Sequence, residues 1–128
     1  MHNSLDLFQT AGAMARHAGA RQAVVARNIA NADTPGFEAQ RIAAFKNVYQ
    51  SAGTDGMRTT RTGHLTVQNS PQFDSRAPAT NDAPSPNGNT VSLEDEMLRS
   101  VEVSREHNRA LAVYRHAMTV LRTSLGRG

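Results

Sequence analysis

The sequence predicts a mainly α fold. Two long terminal helices pair as an antiparallel, coiled-coil-like hairpin, and a long irregular middle segment with at most short β or helical pieces joins them. Three observations predict it. Apolar and small residues recur at alternating three- and four-residue steps near both ends of the 128-residue chain. All five Pro residues lie between Pro35 and Pro86, none nearer either end. The stretch holding them is rich in Gly, Ser, Thr and Asn and carries only scattered large apolar side chains. The chain therefore divides into an N-terminal helix over 1–31, an extended or irregular middle over 32–89 and a C-terminal helix over 90–128.

The first helix follows from the series Phe8, Ala11, Ala15, Ala18, Val25 and Ile29, with Gln22 the one polar interruption. This is a seven-residue repeat, which suits a helix packed lengthwise on another helix. Gly12 and Gly19 are also seven apart and lie beside the seam. Each costs roughly 1 kcal/mol of helix stability relative to Ala. Ala and Gly bury little area but let a neighbouring backbone come close.

The helix should stop near Asn31 to Asp33. The next residues, Thr34-Pro35-Gly36, suit a type II turn: Pro disfavours helix at the residue before it, and Gly accepts a positive φ. Beyond the turn, Ile42, Phe45 and Tyr49 stand at helical spacing and make either a brief helix or an extended strap. His64-Leu65-Thr66-Val67-Gln68 reads as a short strand. Residues 77–89, with Pro78, Pro84 and Pro86, read as irregular linker. A stretch this long with little regular structure is commonly functional, disordered or ordered by a partner.

The last helix opens at Ser92, with Asp95 three residues on, in the manner of a capping box. Glu94, Asp95 and Glu96 fill its first turn, and Arg115, Arg122 and Arg127 lie toward its end, a polarity that complements the helix dipole. Asp95 and Arg99 form an i,i+4 pair of the favourable orientation. The apolar seam reads Met97, Val101, Leu111, Tyr114, Met118, Leu121 and Leu125, interrupted by Ser104 and Asn108. Gln22, Ser104 and Asn108 either set register between helices, as buried polar residues can, or face solvent.

Leu, Ile, Val and Phe together make 23 residues, while 19 are Ala. That share of large apolar residues lies below the roughly 20% at which a sizeable core becomes hard to build. One hairpin would leave much of its apolar surface uncovered. The composition points to lateral packing with other copies or related chains rather than to a free-standing enzyme.

Several classes are excluded. Without Cys there is no disulfide framework, thiolate metal site or Cys nucleophile. No apolar run approaches the roughly 20 residues that span a bilayer, so no direct membrane insertion is expected. The N-terminus lacks a basic region followed by an apolar stretch, so no cleaved secretory signal is expected. The five His residues include no i,i+4 pair and no metalloprotease pattern. Glu102 and Glu106 alternate with Arg105 and Arg109, which reads as a solvated charged face or as inter-subunit ion pairs. Gly53, Gly56 and Gly63 form no phosphate loop, and no nucleophile elbow is present. Arg58, Arg61 and His64 make a small basic patch that reads as an ordinary solvated loop. No catalytic, cofactor-binding or metal-binding residue is assigned, and no cofactor is expected. Net charge +3 with 13 Arg motivates one rival, a small basic helical nucleic-acid-binding protein. Dispersed Arg interleaved with Glu argues against it.

The segment Asn28-Ile29-Ala30-Asn31-Ala32-Asp33-Thr34-Pro35-Gly36-Phe37 closely resembles the signature of the flagellar rod, hook and hook–filament junction family. The usual Tyr is Phe37 here, and the often basic next residue is Glu38. The resemblance is closest to short proximal-rod members. It includes a middle Arg-Thr-x-x-x-x-His-Leu segment from Arg58 to Leu65 and a Gly-Asn-x-Val-x-Leu-Glu entry to the last helix starting at Gly88. The sister proximal-rod protein FlgC is the alternative within the family. The resemblance implies a non-enzymatic building block of the basal-body rod in the periplasm, exported through the flagellar type III apparatus. It implies as partners other copies of itself, other rod proteins, the adaptor FliE and the MS ring, and no nucleic acid. Asn28, Ile29, Ala30, Asn31, Thr34, Pro35, Gly36 and Phe37 would form the assembly motif. The turn would launch the middle segment outward, with Phe37 as an anchor.

Overall fold

A computed structural model describes residues 2–54 and 79–126. Helix α1 spans His2–Ala30, α2 spans Phe45–Thr54 and α3 spans Leu93–Leu125. At 1.5 Å per residue, the 29 residues of α1 and 33 of α3 give lengths of about 44 and 50 Å. The two pack against each other along their length, and α2 touches α1 only lightly. Two contacts set the antiparallel sense. Phe8 near the start of α1 stacks on Tyr114 late in α3, with ring centroids 4.7 Å apart. Farther along α1, Arg21 pairs with Glu106, which lies earlier in α3.

Small residues make the seam between the helices. On α1, Ala11, Ala18 and Val25 are buried at seven-residue spacing. On α3 the buried set is Glu96, Val103, Ala110 and Ala117, again seven apart. A strict seven-residue repeat keeps one face of each helix on its partner, as in a coiled coil. Facing alanines bring the two backbones close, so the hairpin gains contact from proximity rather than from large side chains.

The α3 seam is rotated from the sequence expectation. Leu111, Tyr114 and Leu121 are half-buried. Met97, Val101, Met118 and Leu125 instead lie on the exposed side, Leu125 at 71%. The physical reason is α1 itself: its packing face is mostly Ala and leaves room only for small residues opposite. On α1 the half-buried partners of the seam are Phe8, Ala15 and Ile29, while the polar Arg21 and Asn28 are buried on either side of Val25.

The polar residues read as possible register setters divide. Gln22 and Ser104 are half-buried and Asn108 is exposed. Register is carried instead by Arg21, whose guanidinium donates to the Glu106 carboxylate across the interface. Of the two readings offered for Glu102 and Glu106, Glu106 thus takes neither: its ion pair lies within the chain.

The α3 start also differs in detail. Ser92 occupies the N-cap position with extended backbone, but its side chain makes no capping hydrogen bond. Arg99 pairs with Glu96 at 2.7 Å, three residues back, rather than with Asp95. The buried Glu96 carboxylate draws the guanidinium inward, while Asp95 stays exposed.

Between the helices, Ile42 and Ala39 are buried in an extended run, and Phe45 begins α2. The stretch read as brief helix or strap is therefore both, in succession. Gln40 and Ala79 form an isolated antiparallel bridge, and no longer strand occurs among the described residues. The short strand expected at His64, the basic patch of Arg58, Arg61 and His64, and the segment from Arg58 to Leu65 lie outside the described residues, as do Gly56, Gly63 and Arg127. No described helix is long and apolar enough to cross a membrane.

Candidate assembly site

The turn after α1 and the approach to α3 are knotted together by two buried asparagines. Asn31 ends the helix: its backbone N–H reaches the Arg27 carbonyl at 3.1 Å and its side-chain amide donates to the same oxygen at 2.8 Å. Its own side-chain oxygen accepts from the Thr34 hydroxyl at 3.2 Å. Gly36 then adopts φ +72°, and the Phe37 N–H closes on the Thr34 carbonyl at 3.3 Å. That is the type II turn that Pro-Gly favours, with Gly at the position demanding positive φ.

Asn28, 1% exposed, holds the chain returning from this turn. Its side-chain amide donates to the Gln40 carbonyl at 2.7 Å, and its oxygen accepts from the Gln40 N–H at 3.1 Å. One side chain thus satisfies both backbone groups of Gln40, as a β-strand neighbour would.

Asn89 does more. Its amide nitrogen donates to the carbonyls of Asn31, Ala32 and Thr34 at 2.8, 2.9 and 2.8 Å. Its oxygen accepts from the Val91 N–H at 2.8 Å. Those carbonyls belong to the helix end and turn, where intrahelical donors have run out. Asn89 is therefore a C-terminal cap delivered to α1 from the far end of the middle segment.

Backbone bonds complete the knot. Gly36 N–H donates to the Asn87 carbonyl and Thr90 N–H to the Phe37 carbonyl, both at 3.0 Å. The Ala39 N–H donates to the Thr90 hydroxyl at 2.7 Å. Gly88 has φ +83°, which residues with a side chain rarely adopt, and a Cβ there would stand at ordinary contact distance, 3.4 Å, from Gly36 Cα. The stretch expected to be irregular linker is, over its described residues 79–89, irregular in conformation but tied down.

The eight residues of the expected motif fare differently. Asn28 is buried, Ile29, Asn31 and Phe37 are half-buried, and Ala30, Thr34, Pro35 and Gly36 are exposed. The sequence places Asn89 in the entry to the last helix and Glu96 in its first turn, but assigns neither a buried contact. A polar residue buried by a contact more than fifty positions away leaves no local signal. Glu96 had one: it stands seven residues before Val103 in the series that continues to Ala110 and Ala117.

The charged groups nearby are used in pairs. Arg21, Arg41 and Arg99 each donate to a carboxylate, of Glu106, Asp82 and Glu96 respectively. Among the described residues no group of acidic and His side chains could hold a metal ion.

The turn and the helix before it match a known family. Residues 9–37 fit the model of the flagella basal body rod proteins. The likeness extends along most of the chain: it is 34% identical to flagellar basal body rod protein FlgB of Agrobacterium fabrum, covering 91% of this chain and 92% of that protein. The chain belongs to the flagellar basal body rod protein family. A second rod protein, FlgB of Salmonella typhimurium, is 35% identical over 73% of each chain. Both relatives carry the FlgB name, so the sister reading as FlgC is not favoured. The family match ends at Phe37, but the partners of this rod protein's signature turn lie at Asn87, Asn89 and Thr90, beside α3.

His17 gives this rod protein a pH dependence. The side chain is 5% exposed, and its ring meets Phe45 edge-on at 5.6 Å. Burial first, then the nearby Arg21 charge, push its pKa down, against the opposing effects of Glu106 and a hydrogen bond to the Ala43 backbone. The folded chain therefore favours neutral His17, while the unfolded chain takes up a proton near pH 6.5. Stability from this site is present above that pH and is lost as pH falls toward the lower folded-state value. Urea midpoints measured from pH 7.5 to 5 should fall on acidification, and His17→Gln should flatten that slope. An unchanged slope would assign the dependence to other groups.

Proposed function

We propose that this chain is a non-enzymatic structural unit of the proximal rod of the flagellar basal body. It leaves the cytoplasm through the flagellar export apparatus and assembles with copies of itself and other rod proteins above the adaptor FliE and the MS ring. There it carries torque for motility. The observation that supports this most is the 34% identity to a basal body rod protein across nine-tenths of the chain. The hairpin agrees with it. Its seam is built of alanines, its polar contacts are spent on shape, and large apolar side chains remain outside for neighbours to cover.

In this reading the Asn28–Phe37 segment is an assembly element. Its turn fixes the angle at which the chain leaves α1 and so sets how the following segment meets other subunits. The double variant Pro35→Ala with Gly36→Ala removes the preset φ and the residue that tolerates +72°. Export, read as chain in the culture supernatant, should stay near wild type, while chain recovered in purified basal bodies and motility in soft agar fall severalfold. Wild-type incorporation and motility would show that the turn has no role in assembly.

A further inference from the structure

One dipeptide in the knot stands out by its chemistry. Asn87-Gly88 is the one place in the chain where Asn precedes Gly, and both residues are exposed. An Asn followed by Gly is the pair most open to attack by its own backbone, because the nitrogen after it has no Cβ beside it to crowd the approach. The Gly88 amide nitrogen loses its proton and attacks the Asn87 Cγ. A ring C–N bond forms, the Cγ–Nδ2 bond breaks, and the side-chain nitrogen leaves as ammonia with the proton from Gly88. Water then opens the cyclic imide at either carbonyl, giving aspartate or isoaspartate. In isoaspartate the main chain runs through the former side chain and is longer by a methylene.

The closed knot holds both groups that react. The Gly88 N–H donates to the Ser85 carbonyl at 2.8 Å. The Asn87 side-chain oxygen accepts from the Asn89 N–H at 3.1 Å, and the Asn87 backbone carbonyl accepts from the Gly36 N–H at 3.0 Å. The Ser85 N–H closes the same loop onto the Asn89 carbonyl at 2.8 Å. The nitrogen thus keeps its proton on Ser85 while the amide to be attacked is tied to Asn89. Attack proceeds from the fraction of chains in which this loop has opened, and local stability sets that fraction. Reaction also damages the knot. A methylene added at residue 87 shifts the Asn87 carbonyl away from Gly36 and the Asn89 side chain away from the end of α1.

We infer that Asn87-Gly88 is a deamidation site shielded by the closed knot, and that its conversion to isoaspartate unties the α1 cap. The site belongs to the single chain and does not depend on the rod reading.

The purified full chain, incubated at mildly alkaline pH in buffer and in urea, provides the test. Its peptides are read by mass spectrometry, with isoaspartate marked by an isoaspartate-specific methyltransferase. In urea Asn87 should be the first Asn modified, and in buffer its rate should be lower by about tenfold or more. Asn89→Ala leaves the dipeptide intact but weakens the knot, so its rates in buffer and urea should lie closer together. The isoaspartate chain, returned to neutral buffer, should unfold at lower urea than the fresh chain. Asn87→Asp keeps a carboxylate oxygen for the Asn89 N–H and a main chain of normal length, so its midpoint should stay near wild type. Equal rates at Asn87 in buffer and urea, earlier modification of another Asn in urea, or an unchanged rate ratio in Asn89→Ala would overturn the shielded site. An unchanged midpoint for the isoaspartate chain, or an equal fall for Asn87→Asp, would overturn the effect on the cap.

Discussion

Asn89→Asp should destabilise the chain more than any other single-atom exchange in it. Asn89 is 2% exposed and its amide nitrogen serves three carbonyls at once. Asp replaces that donor by an oxygen: the Ala32 carbonyl loses it outright, the Asn31 and Thr34 carbonyls keep only the Thr34 and Phe37 N–H groups, and an anion is turned toward all three. A lost hydrogen bond that strands a buried polar group costs about 1–3 kcal/mol, and an unpaired buried charge costs more. The expected loss is about 3–5 kcal/mol, a large fraction of a domain's typical stability. Asn89→Ala removes the same donor but adds no charge, so it should cost about 2–3 kcal/mol. Urea denaturation of the full chain, followed by circular dichroism, reads both. A loss below about 1 kcal/mol for Asp would mean that the α1 end is capped by water and not by Asn89.

The second large effect is overpacking of the alanine seam. Ala110 is 1% exposed at the middle of the α1–α3 contact. Leu at this position must push the helices apart or leave its preferred rotamer, which costs about 1–3 kcal/mol and occasionally more. Separation would also strain the Arg21–Glu106 pair four residues away, so the upper part of that range is expected. Ala112→Leu, two residues on and exposed, is the control. Leu and Ala differ little in helix propensity, and this change should be near neutral. Equal effects at 110 and 112 would show that the helices are not in close contact. Val103→Ala, in the same seam, removes packing without crowding and should fall between the two.

Much of this architecture was legible in the sequence because it is local. Helix ends, the Pro35-Gly36 turn and the seven-residue spacing of Ala11, Ala18 and Val25 all follow from residues a few positions apart. The face of α3 was misread for a physical reason. Apolar size guided the expectation toward Met97, Val101 and Met118, whereas a seam of alanines selects for smallness, and Ala110 and Ala117 carry little weight in any hydrophobicity pattern. Glu96 entered the seam by pairing with Arg99, a possibility that size and polarity together argue against. The knot was legible only in half. Asn28 and the turn belong to one continuous signature, but Asn89 acts across more than fifty residues, and nothing near it in sequence tells where its amide points.

These features share one logic. The hairpin holds its shape with close backbones and a few placed polar groups, and it keeps its largest apolar side chains for neighbours. The same arrangement makes the signature turn depend on the segment that enters α3, so both ends of the chain are needed to form it.

The central claim is that the chain is a structural component of the flagellar rod. Electron cryomicroscopy of basal bodies purified from cells lacking this chain tests it most directly. The account predicts membrane rings that carry no rod, with the rod restored when the chain is supplied again. A complete rod of normal length on those rings would contradict it.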